Sequence, residues 1–307
     1  MYYQKILHIN QLQLHKVSLL TYYSILLLSL PMNVITGSMK AETVISGARS
    51  KRLISEVLAP LNEIAANSSS LIAAPSGKLD LGYETCELPR YLFIGPRSGG
   101  EPIRVGLFAG IHGDEPEGVY GLIRFVKLLE AQPEIAAGYC LFIYPMCNPT
   151  GFEERTRNSR SGKDLNREFW RGSTEPEVRL LQSELVSHCF DGIISLHTDD
   201  SSHGFYGFAH GATLTRHLVE PALKAAEEFL PRNGNDIIDG FPARNGIIKQ
   251  SFEGVLSGPP KVRPRPFEVV LETPFDAPTF LKEAAFVAAL RTILLRYREF
   301  IAYAPNL

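Results

Sequence analysis

The amino-acid sequence predicts a three-layer α/β fold, in which helices flank a mixed, mostly parallel central sheet. Short β-type runs alternate with longer helical stretches along most of the chain, which is typical of this fold class. The hydrophobic content of 45% and the charged content of 21% are ordinary for a globular protein. The last helical stretch is broadly amphipathic, as expected of a helix that packs across a sheet.

The individual elements are predicted from hydrophobic periodicity and from the breaks in it. The β-type runs lie at residues 91–94, 104–109, 141–144, 192–196 and 267–271. The helical stretches lie at residues 41–66, 117–131, 175–189, 213–230 and 277–302. Four prolines within residues 254–266 predict a loop that leads into the last strand.

The amino-terminal segment allows two interpretations. Residues 17–30 are mostly apolar and follow Lys5 and Lys16; this run is short for a membrane span and has the length of a signal-peptide core. Alternatively, the natural chain starts at Met39, because the residues after it fit the beginning of a soluble protein. We therefore predict a pre-segment at residues 1–40, a single catalytic domain at residues 41–307 and no stable membrane span. The expected location is the cytoplasm, or outside it if residues 1–38 act as a signal peptide.

Composition excludes several classes of function. The net charge of −2 and the pI of about 6.5 give no electrostatic case for a nucleic-acid partner. The four cysteines show no C-x-x-C spacing, so neither a disulfide framework nor a cysteine metal site is predicted.

The segment from His112 to Glu115 is the first sign of a catalytic site. It follows the apolar run at residues 105–110, and Pro116 behind it suits the first turn of a helix. A buried strand that ends in H-x-x-E brings an imidazole and a carboxylate to one point. There they can supply two of the three protein ligands of a catalytic zinc. The tight turn between strand and helix is also where open α/β sheets bind ligands.

His197 is the best placed third ligand, because it closes the apolar strand at residues 192–196. Surface or packing roles are favoured for the histidines in helices or loops, which are His188, His203, His210 and His217. Together, His112, Glu115 and His197 predict a site for one zinc ion, with an open fourth position for water.

Glu272 is the predicted general base. It ends the apolar strand at residues 267–271, where partial burial would raise its pKa toward the working range. The densest polar stretch of the chain, at residues 148–167, lies between the predicted ligands. Its guanidinium groups are suited to binding a carboxylate and stabilising an oxyanion, and the near-neutral overall charge favours this use over a phosphate or nucleic-acid patch.

Taken in order, these motifs resemble the zinc metallocarboxypeptidase family in its broad sense. That family includes bacterial murein peptide amidases and the related succinylglutamate desuccinylase and aspartoacylase group. The matching segments are G-I-H-G-D-E at 110–115, N-P-T-G at 148–151, R-N-S-R-S-G-K-D-L-N-R at 157–167, S-L-H at 195–197 and L-E-T-P at 271–274. The resemblance implies zinc on His112, Glu115 and His197, with Glu272 as general base and general acid.

The resemblance also implies roles within the polar stretch. Arg157 would polarise the scissile carbonyl, while Asn166 and Arg167 would bind a substrate carboxylate. Arg157 is preferred over Arg155 and Arg160 because its spacing of nine residues to Asn166 fits the bacterial members.

The sequence departs from the family at one informative point. Many carboxypeptidases of this family carry a mobile tyrosine some twenty residues before the catalytic glutamate, but residues 246–251 contain none. Tyr206 could reach the site from another segment, although a structural role is favoured for it. The main prediction is a zinc carboxypeptidase or peptide amidase acting on small peptides. The alternatives are an N-acyl amino acid deacylase of the desuccinylase/aspartoacylase type and a non-catalytic ligand-binding relative.

Overall fold

The computed structural model describes residues 51–80, 85–97, 99–211 and 215–303. The predicted pre-segment at residues 1–40 and the first part of the predicted helix at 41–66 lie outside these residues. None of the described helices is long and apolar enough to cross a membrane.

Twelve strands and six α-helices make up the described part of the chain. The strands are β1 (Leu71–Ala73), β2 (Gly77–Asp80), β3 (Thr85–Leu88), β4 (Tyr91–Ile94), β5 (Ile103–Ala109), β6 (Tyr139–Tyr144), β7 (Gly192–Asp199), β8 (Tyr206–Gly211), β9 (Ile237–Ile238), β10 (Phe241–Arg244), β11 (Ile247–Ile248) and β12 (Phe267–Pro274). The helices are α1 (Ile54–Asn67), α2 (Glu117–Ala131), α3 (Pro149–Glu154), α4 (Pro176–His188), α5 (Thr215–Ala226) and α6 (Thr279–Tyr303).

Ten of these strands form one mixed sheet in the order β1-β4-β6-β5-β7-β12-β8-β11-β10-β9. The four central strands β6, β5, β7 and β12 run parallel, and antiparallel pairs adjoin them on both sides. The carboxyl ends of the central strands therefore meet at one edge of the sheet, where ligands bind in open α/β folds.

The two faces of the sheet support separate apolar cores. One face packs against α1, α2, α5 and α6, with Leu107, Leu196 and Leu271 from the central strands buried in it. The other face packs against α4 and the separate β2–β3 pair, with Phe108 and Ile193 pointing into it. Central strands buried on both faces are apolar at successive positions, which is why they were recognisable in the sequence.

The predicted fold class is confirmed: the molecule is a three-layer α/β protein with a mixed sheet between helices. All five predicted strands and the predicted helices in the described residues exist, with boundaries shifted by a few residues. The predicted loop at 254–266 contains neither helix nor strand. The sequence did not predict β1–β3, β8–β11 or the short helix α3.

Candidate metal centre and its pocket

The ends of three neighbouring strands bring the predicted site residues together. His112 lies three residues beyond the end of β5, whereas His197 and Glu272 lie within β7 and β12. His197 and Glu272 are direct partners in the register of these two strands. Paired side chains point to the same face of a sheet, so the imidazole and the carboxylate face one cavity.

The loop between β5 and α2 places the other two predicted ligands side by side. Gly110 has a φ of 62°, a conformation that glycine adopts without steric cost, and it turns the chain as β5 ends. Gly113 lies against the backbone of α3, and a Cβ added there would come within 1.9 Å of the carbonyl carbon of Gly151. Nη1 of Arg52 donates a 2.6 Å hydrogen bond to the carbonyl oxygen of Gly113. The loop is therefore held both by α3 and by Arg52.

The three predicted metal ligands form one buried cluster. Nδ1 of His112 lies 2.6 Å from Oε1 of Glu115, and Nδ1 of His197 lies 3.0 Å from Oε2 of Glu115. Ligand atoms of the three residues all lie within 4.8 Å of one another, and no other such group of His, Cys, Asp or Glu occurs in the described residues. Two imidazole nitrogens and a carboxylate oxygen suit a single metal ion.

Burial and mutual charge shift the pKa values of these ligands. Burial alone would raise the pKa of Glu115, but the charges and hydrogen bonds of the two imidazoles bring it well below its usual value. Burial lowers the pKa of His112, yet Glu115 and Asp164 outweigh this effect and raise it to about 9. Burial lowers the pKa of His197. Glu115 therefore stays ionised at neutral pH, as a ligand carboxylate must be.

Asp164 is part of this centre, although it was not singled out from the sequence. Its Oδ1 lies 3.2 Å from Nε2 of His112, the imidazole nitrogen that faces away from Glu115. A carboxylate on the second ring nitrogen fixes the orientation of a ligand histidine and raises its basicity. The available signal was the aspartate two residues before Asn166 in the polar stretch.

Glu272 lies in the wall of the same cavity. Its side chain makes no hydrogen bond or ion pair with any described residue. Burial raises its pKa well above the usual value, and the negative charges of Glu115, Asp199 and Asp239 add to this shift. An unengaged carboxylate with a raised pKa can exchange a proton with a group in the cavity.

Of the three arginines considered in the polar stretch, Arg157 alone lines the cavity. Its guanidinium lies 3.3 Å from Oε1 of Glu115 and 3.2 Å from Oδ2 of Asp164. Arg160 instead pairs with Glu154 at 2.6 Å. The preference for Arg157 over Arg155 and Arg160 therefore has geometric support, and Arg157 places positive charge next to the predicted metal position.

Asn166 and Arg167 lie together at another part of the cavity wall. Oδ1 of Asn166 accepts a 2.8 Å hydrogen bond from the backbone N–H of Leu256, which leaves the side-chain amino group without a partner among the described residues. The guanidinium of Arg167 lies 4.2 Å from the ring centroid of Phe252 and forms no ion pair with a described carboxylate. Both residues can therefore donate hydrogen bonds to a bound anion.

The cavity has a volume of about 280 Å³, which suits a small molecule. Three aspartates line it in addition to the predicted site residues: Asp199, Asp200 and Asp239. Tyr206 lies beside them, fully buried, and donates a 2.7 Å hydrogen bond to Oδ2 of Asp199. These residues were not predicted as site residues, because Asp199 and Tyr206 lie at strand ends, and Asp200 and Asp239 in turns, that no sequence pattern directed to the site.

Comparison with known proteins finds similarity to one domain family. Residues 102–233 match the model of the succinylglutamate desuccinylase/aspartoacylase catalytic domain. This segment includes the three predicted ligands and the polar stretch, and it ends before Glu272. Among curated proteins, none matches the chain.

Several solved structures are similar over most of the chain. A candidate metallopeptidase from Shewanella denitrificans OS217 has a TM-score of 0.66 at 23% identity, covering 79% of this chain and 90% of its own. A metallo-carboxypeptidase from Burkholderia cenocepacia has a TM-score of 0.62 at 17% identity, covering 81% and 70%. A metallo-carboxypeptidase from Pseudomonas aeruginosa, in complex with (2-guanidinoethylmercapto)succinic acid, has a TM-score of 0.58 at 18% identity, covering 78% and 68%.

At these identities the structural similarity concerns the fold, and the fold is that of the metallocarboxypeptidases. The resemblance predicted from the sequence is therefore confirmed in two respects. The fold resembles that of the metallocarboxypeptidases, and residues 102–233 match the desuccinylase/aspartoacylase catalytic domain. The site is compatible with a metal ion and the comparisons point to a hydrolase.

Proposed function

We propose that the protein is a zinc-dependent hydrolase that cleaves an amide bond next to a free carboxylate in small peptides. The observation that carries this proposal is the convergence of His112, Glu115 and His197 with Glu272 on one cavity. A zinc ion bound by the first three residues supplies Lewis-acid chemistry, which acidifies a water molecule and polarises a carbonyl group.

Glu272 is the group that moves the proton. Its carboxylate accepts a proton from the attacking water and then donates it to the leaving nitrogen, so that a neutral amine departs. Burial raises the pKa of Glu272 well above its usual value, which makes its carboxylate a stronger base toward the attacking water. The absence of any hydrogen bond to its side chain from the described residues leaves the carboxylate available to the reactants.

Arg157 stabilises the negative charge that develops on the carbonyl oxygen. Its guanidinium lines the cavity next to Glu115. Burial lowers the pKa of Arg157, but the negative charges of Asp164 and Glu115 outweigh this effect and raise it, so the guanidinium stays charged. Donors that are fixed before the reaction stabilise an oxyanion more strongly than water does.

Asn166 and Arg167 bind the substrate carboxylate. The amino group of Asn166 and the guanidinium of Arg167 are unengaged by described carboxylates and lie on the same cavity wall. Hydrogen bonds from an ionised donor to a carboxylate are short and about twice as strong as neutral ones. This anchor would set the scissile bond at a fixed distance from Glu272.

The charges around the cavity favour a peptide over an N-succinyl amino acid. Asp199, Asp200 and Asp239 line the cavity, and an amino group on the acyl side of a peptide would be attracted to them. A succinyl group carries a further carboxylate, which these aspartates would repel.

An N-acyl amino acid deacylase is the second candidate, because residues 102–233 match the model of the succinylglutamate desuccinylase/aspartoacylase catalytic domain. A panel of dipeptides, N-acetyl amino acids and N-succinyl amino acids at equal concentration separates the two. Higher kcat/KM on dipeptides supports the first candidate, and higher kcat/KM on N-succinyl substrates refutes it. In the Asp239→Asn variant, removal of one negative charge should raise kcat/KM for the N-succinyl substrates relative to the dipeptides.

The metal site is tested by metal analysis of the purified protein. Wild-type protein should contain one zinc ion per chain, and His112→Ala should lose it. His217→Ala replaces an exposed histidine on α5 and should retain the metal. Full zinc occupancy in His112→Ala would refute the site.

The proton-transfer role is tested with Glu272→Gln. This variant should retain zinc and lose roughly 10²- to 10⁴-fold in kcat, the usual contribution of a general acid–base residue. Glu299→Gln, an exposed change on α6, serves as the control and should leave kcat unchanged. An active Glu272→Gln enzyme would remove Glu272 from this role.

We also propose that the protein works in the cytoplasm, with export as the alternative. All four cysteines are free, as is usual in a reducing compartment. Amino-terminal sequencing of protein purified from its natural cells tests this: a mature chain that begins beyond residue 38 in an exported fraction would refute the cytoplasmic location.

A further inference from the structure

Lys282 is an unusual residue for its position in the fold. It lies in the first turn of α6 with 1% of its surface exposed, and it is the only buried lysine or arginine among the described residues. A lysine is almost never fully buried unless its charge is paired. Its surroundings therefore require an explanation.

The ammonium group of Lys282 joins the segments that follow two of the site strands. Nζ donates a 3.1 Å hydrogen bond to Oε1 of Glu117, the residue two positions after the predicted ligand Glu115. Nζ also donates a 2.6 Å hydrogen bond to the carbonyl oxygen of Phe275, three positions after Glu272. One buried cation therefore binds both the ligand-bearing loop and the end of the strand that carries the predicted base.

The third site strand joins the same network through Thr198. Its Oγ1 donates a 3.3 Å hydrogen bond to Oε2 of Glu117, the second oxygen of the carboxylate that Lys282 binds. Its backbone N–H donates a 3.1 Å hydrogen bond to Oε2 of Glu115. Thr198 directly follows the predicted ligand His197 in β7.

Thr273 of β12 connects this hydrogen-bond network to strand β7. Its hydroxyl lies 3.1 Å from the hydroxyl of Thr198 and 3.3 Å from the carbonyl oxygen of His197. Both threonines are buried, and they are direct partners in the register of β7 and β12. We refer to Lys282, Glu117, Thr198 and Thr273 as the Lys282 network.

We propose that the Lys282 network is the positioning device of the metal centre, with Lys282 and Glu117 as positioning residues that fix the three strand ends relative to one another. Neither residue lines the catalytic cavity. Their effect is transmitted to Glu115 and His197 through Thr198, and to Glu272 through Phe275 and Thr273. This inference rests on the proposed function, because it assumes the metal site described above.

A contribution to stability does not account for a buried ion pair of this kind. Removing two charges from water is costly, and the attraction between them often does no more than balance that cost. Apolar residues of similar volume are frequently as stabilising, and the neighbouring buried positions of α6 are indeed apolar. A directional cation that binds two separate segments supplies geometry that a methionine cannot.

The test compares Lys282→Met with Arg90→Met in the full-length protein. Arg90 also pairs with a buried glutamate, Glu184 on α4, but it lies between β3 and β4 and does not line the catalytic cavity. Each change therefore removes the lysine or arginine that pairs with a buried glutamate, and both should lower the Tm of the metal-free protein. The zinc Kd, measured by competition with a chromophoric chelator, is the readout that separates them.

We expect Lys282→Met to raise the zinc Kd by about 10- to 100-fold, the usual effect of losing a group that orients metal ligands. With saturating zinc, kcat should fall while KM changes less than twofold, because Asn166 and Arg167 lie on another segment. Arg90→Met should leave the zinc Kd within twofold of wild type. A zinc Kd within twofold of wild type in Lys282→Met, or an equal rise in both variants, would overturn the inference.

Two further variants keep the test decisive. If Lys282→Met does not fold, the double variant Glu117→Gln/Lys282→Met removes the unpaired charge and should show the same rise in zinc Kd. Thr198→Val retains the backbone hydrogen bond to Glu115 and removes only the hydroxyl link, so it should raise the zinc Kd by a smaller factor. Wild-type zinc affinity in both would overturn the inference, whereas a wild-type protein that binds no zinc would overturn the proposed function itself.

Discussion

Replacement of Gly113 by alanine should disrupt the metal centre by displacing the loop that carries His112 and Glu115. Gly113 lies between His112 and Glu115, and its φ is not in the left-handed region, so its backbone conformation is open to alanine. The obstacle is contact: an added Cβ would lie 1.9 Å from the carbonyl carbon of Gly151 and 2.2 Å from the backbone nitrogen of Phe152. Both atoms belong to the backbone of α3, which cannot move aside as a flexible side chain can.

The size of the effect follows from that contact. An ordinary van der Waals contact requires at least 3.4 Å, so the loop and α3 must separate by more than an ångström. Helix α3 is fixed, because Asn148 caps it with a 3.0 Å hydrogen bond and its first four residues are buried. Most of the movement must therefore occur in the ligand loop, although metal–ligand distances tolerate only about 0.2 Å. We expect a zinc Kd at least 100-fold above wild type and a loss of about 1–3 kcal/mol in the free energy of unfolding.

Chelator competition gives the zinc Kd, and urea unfolding of the metal-free protein gives the stability. Gly234→Ala is the matched control, since a Cβ there meets nothing within 4 Å, and its stability should stay within about 0.5 kcal/mol of wild type. If Gly113→Ala binds zinc as the wild type does and keeps its stability, the packing of the ligand loop against α3 is not what holds the site.

Three other predictions address separate groups. Asp164→Asn should raise the zinc Kd by about 10- to 100-fold in the chelator assay, because the carboxylate of Asp164 orients His112. The control is Asp114→Asn, an exposed change in the ligand loop, which should alter the zinc Kd less than threefold. Arg167→Gln should raise KM at least tenfold and change kcat less, since it binds substrate before and during the reaction alike; steady-state kinetics showing an unchanged KM would contradict this. Burial raises the pKa of Tyr91 to about 12, above its ordinary value of 10.0. The neutral phenol therefore stabilises the folded state fully below pH 10, and this stabilisation is lost as the pH rises through the folded-state pKa. Tyr91→Phe should accordingly lose less stability than wild type between pH 10 and pH 12 in unfolding titrations.

The site residues at the carboxyl ends of strands could be predicted from the sequence, because the end of a strand determines locally where a side chain lies. His197 and Glu272 each follow an apolar run, and parallel strands bring their carboxyl ends to one edge, so their proximity could be inferred without a structure. The H-x-x-E segment was recognisable for the same reason. The roles predicted for Arg157, Asn166 and Arg167 came from resemblance, and the structure brings the three residues to the same cavity.

The unpredicted parts of the site depend on contacts between distant segments. Lys282 and Glu117 are separated by 165 positions, and nothing in either local pattern shows that the two side chains meet. Asp164 faces His112 because of a loop path that no periodicity encodes. Strands β9 and β11, each two residues long, are too short to produce an alternation, so hydrophobic patterning could not reveal them.

Many carboxypeptidases of the resembled family carry a mobile tyrosine, and residues 246–251 of this chain contain none. Tyr206 is the tyrosine that lines the cavity instead. It lies in β8 in direct register with Glu272, so an aromatic hydroxyl is present in the cavity wall although the expected segment has none. This hydroxyl is already engaged by Asp199, whose other oxygen accepts hydrogen bonds of 2.8 and 2.7 Å from the backbone and hydroxyl of Ser201. A residue in a paired strand cannot swing toward a substrate as a loop residue can, because its backbone is fixed by the ladder on β12. The wall next to Glu272 is therefore preformed, and a substrate of the proposed hydrolase would meet the fixed charges that line it.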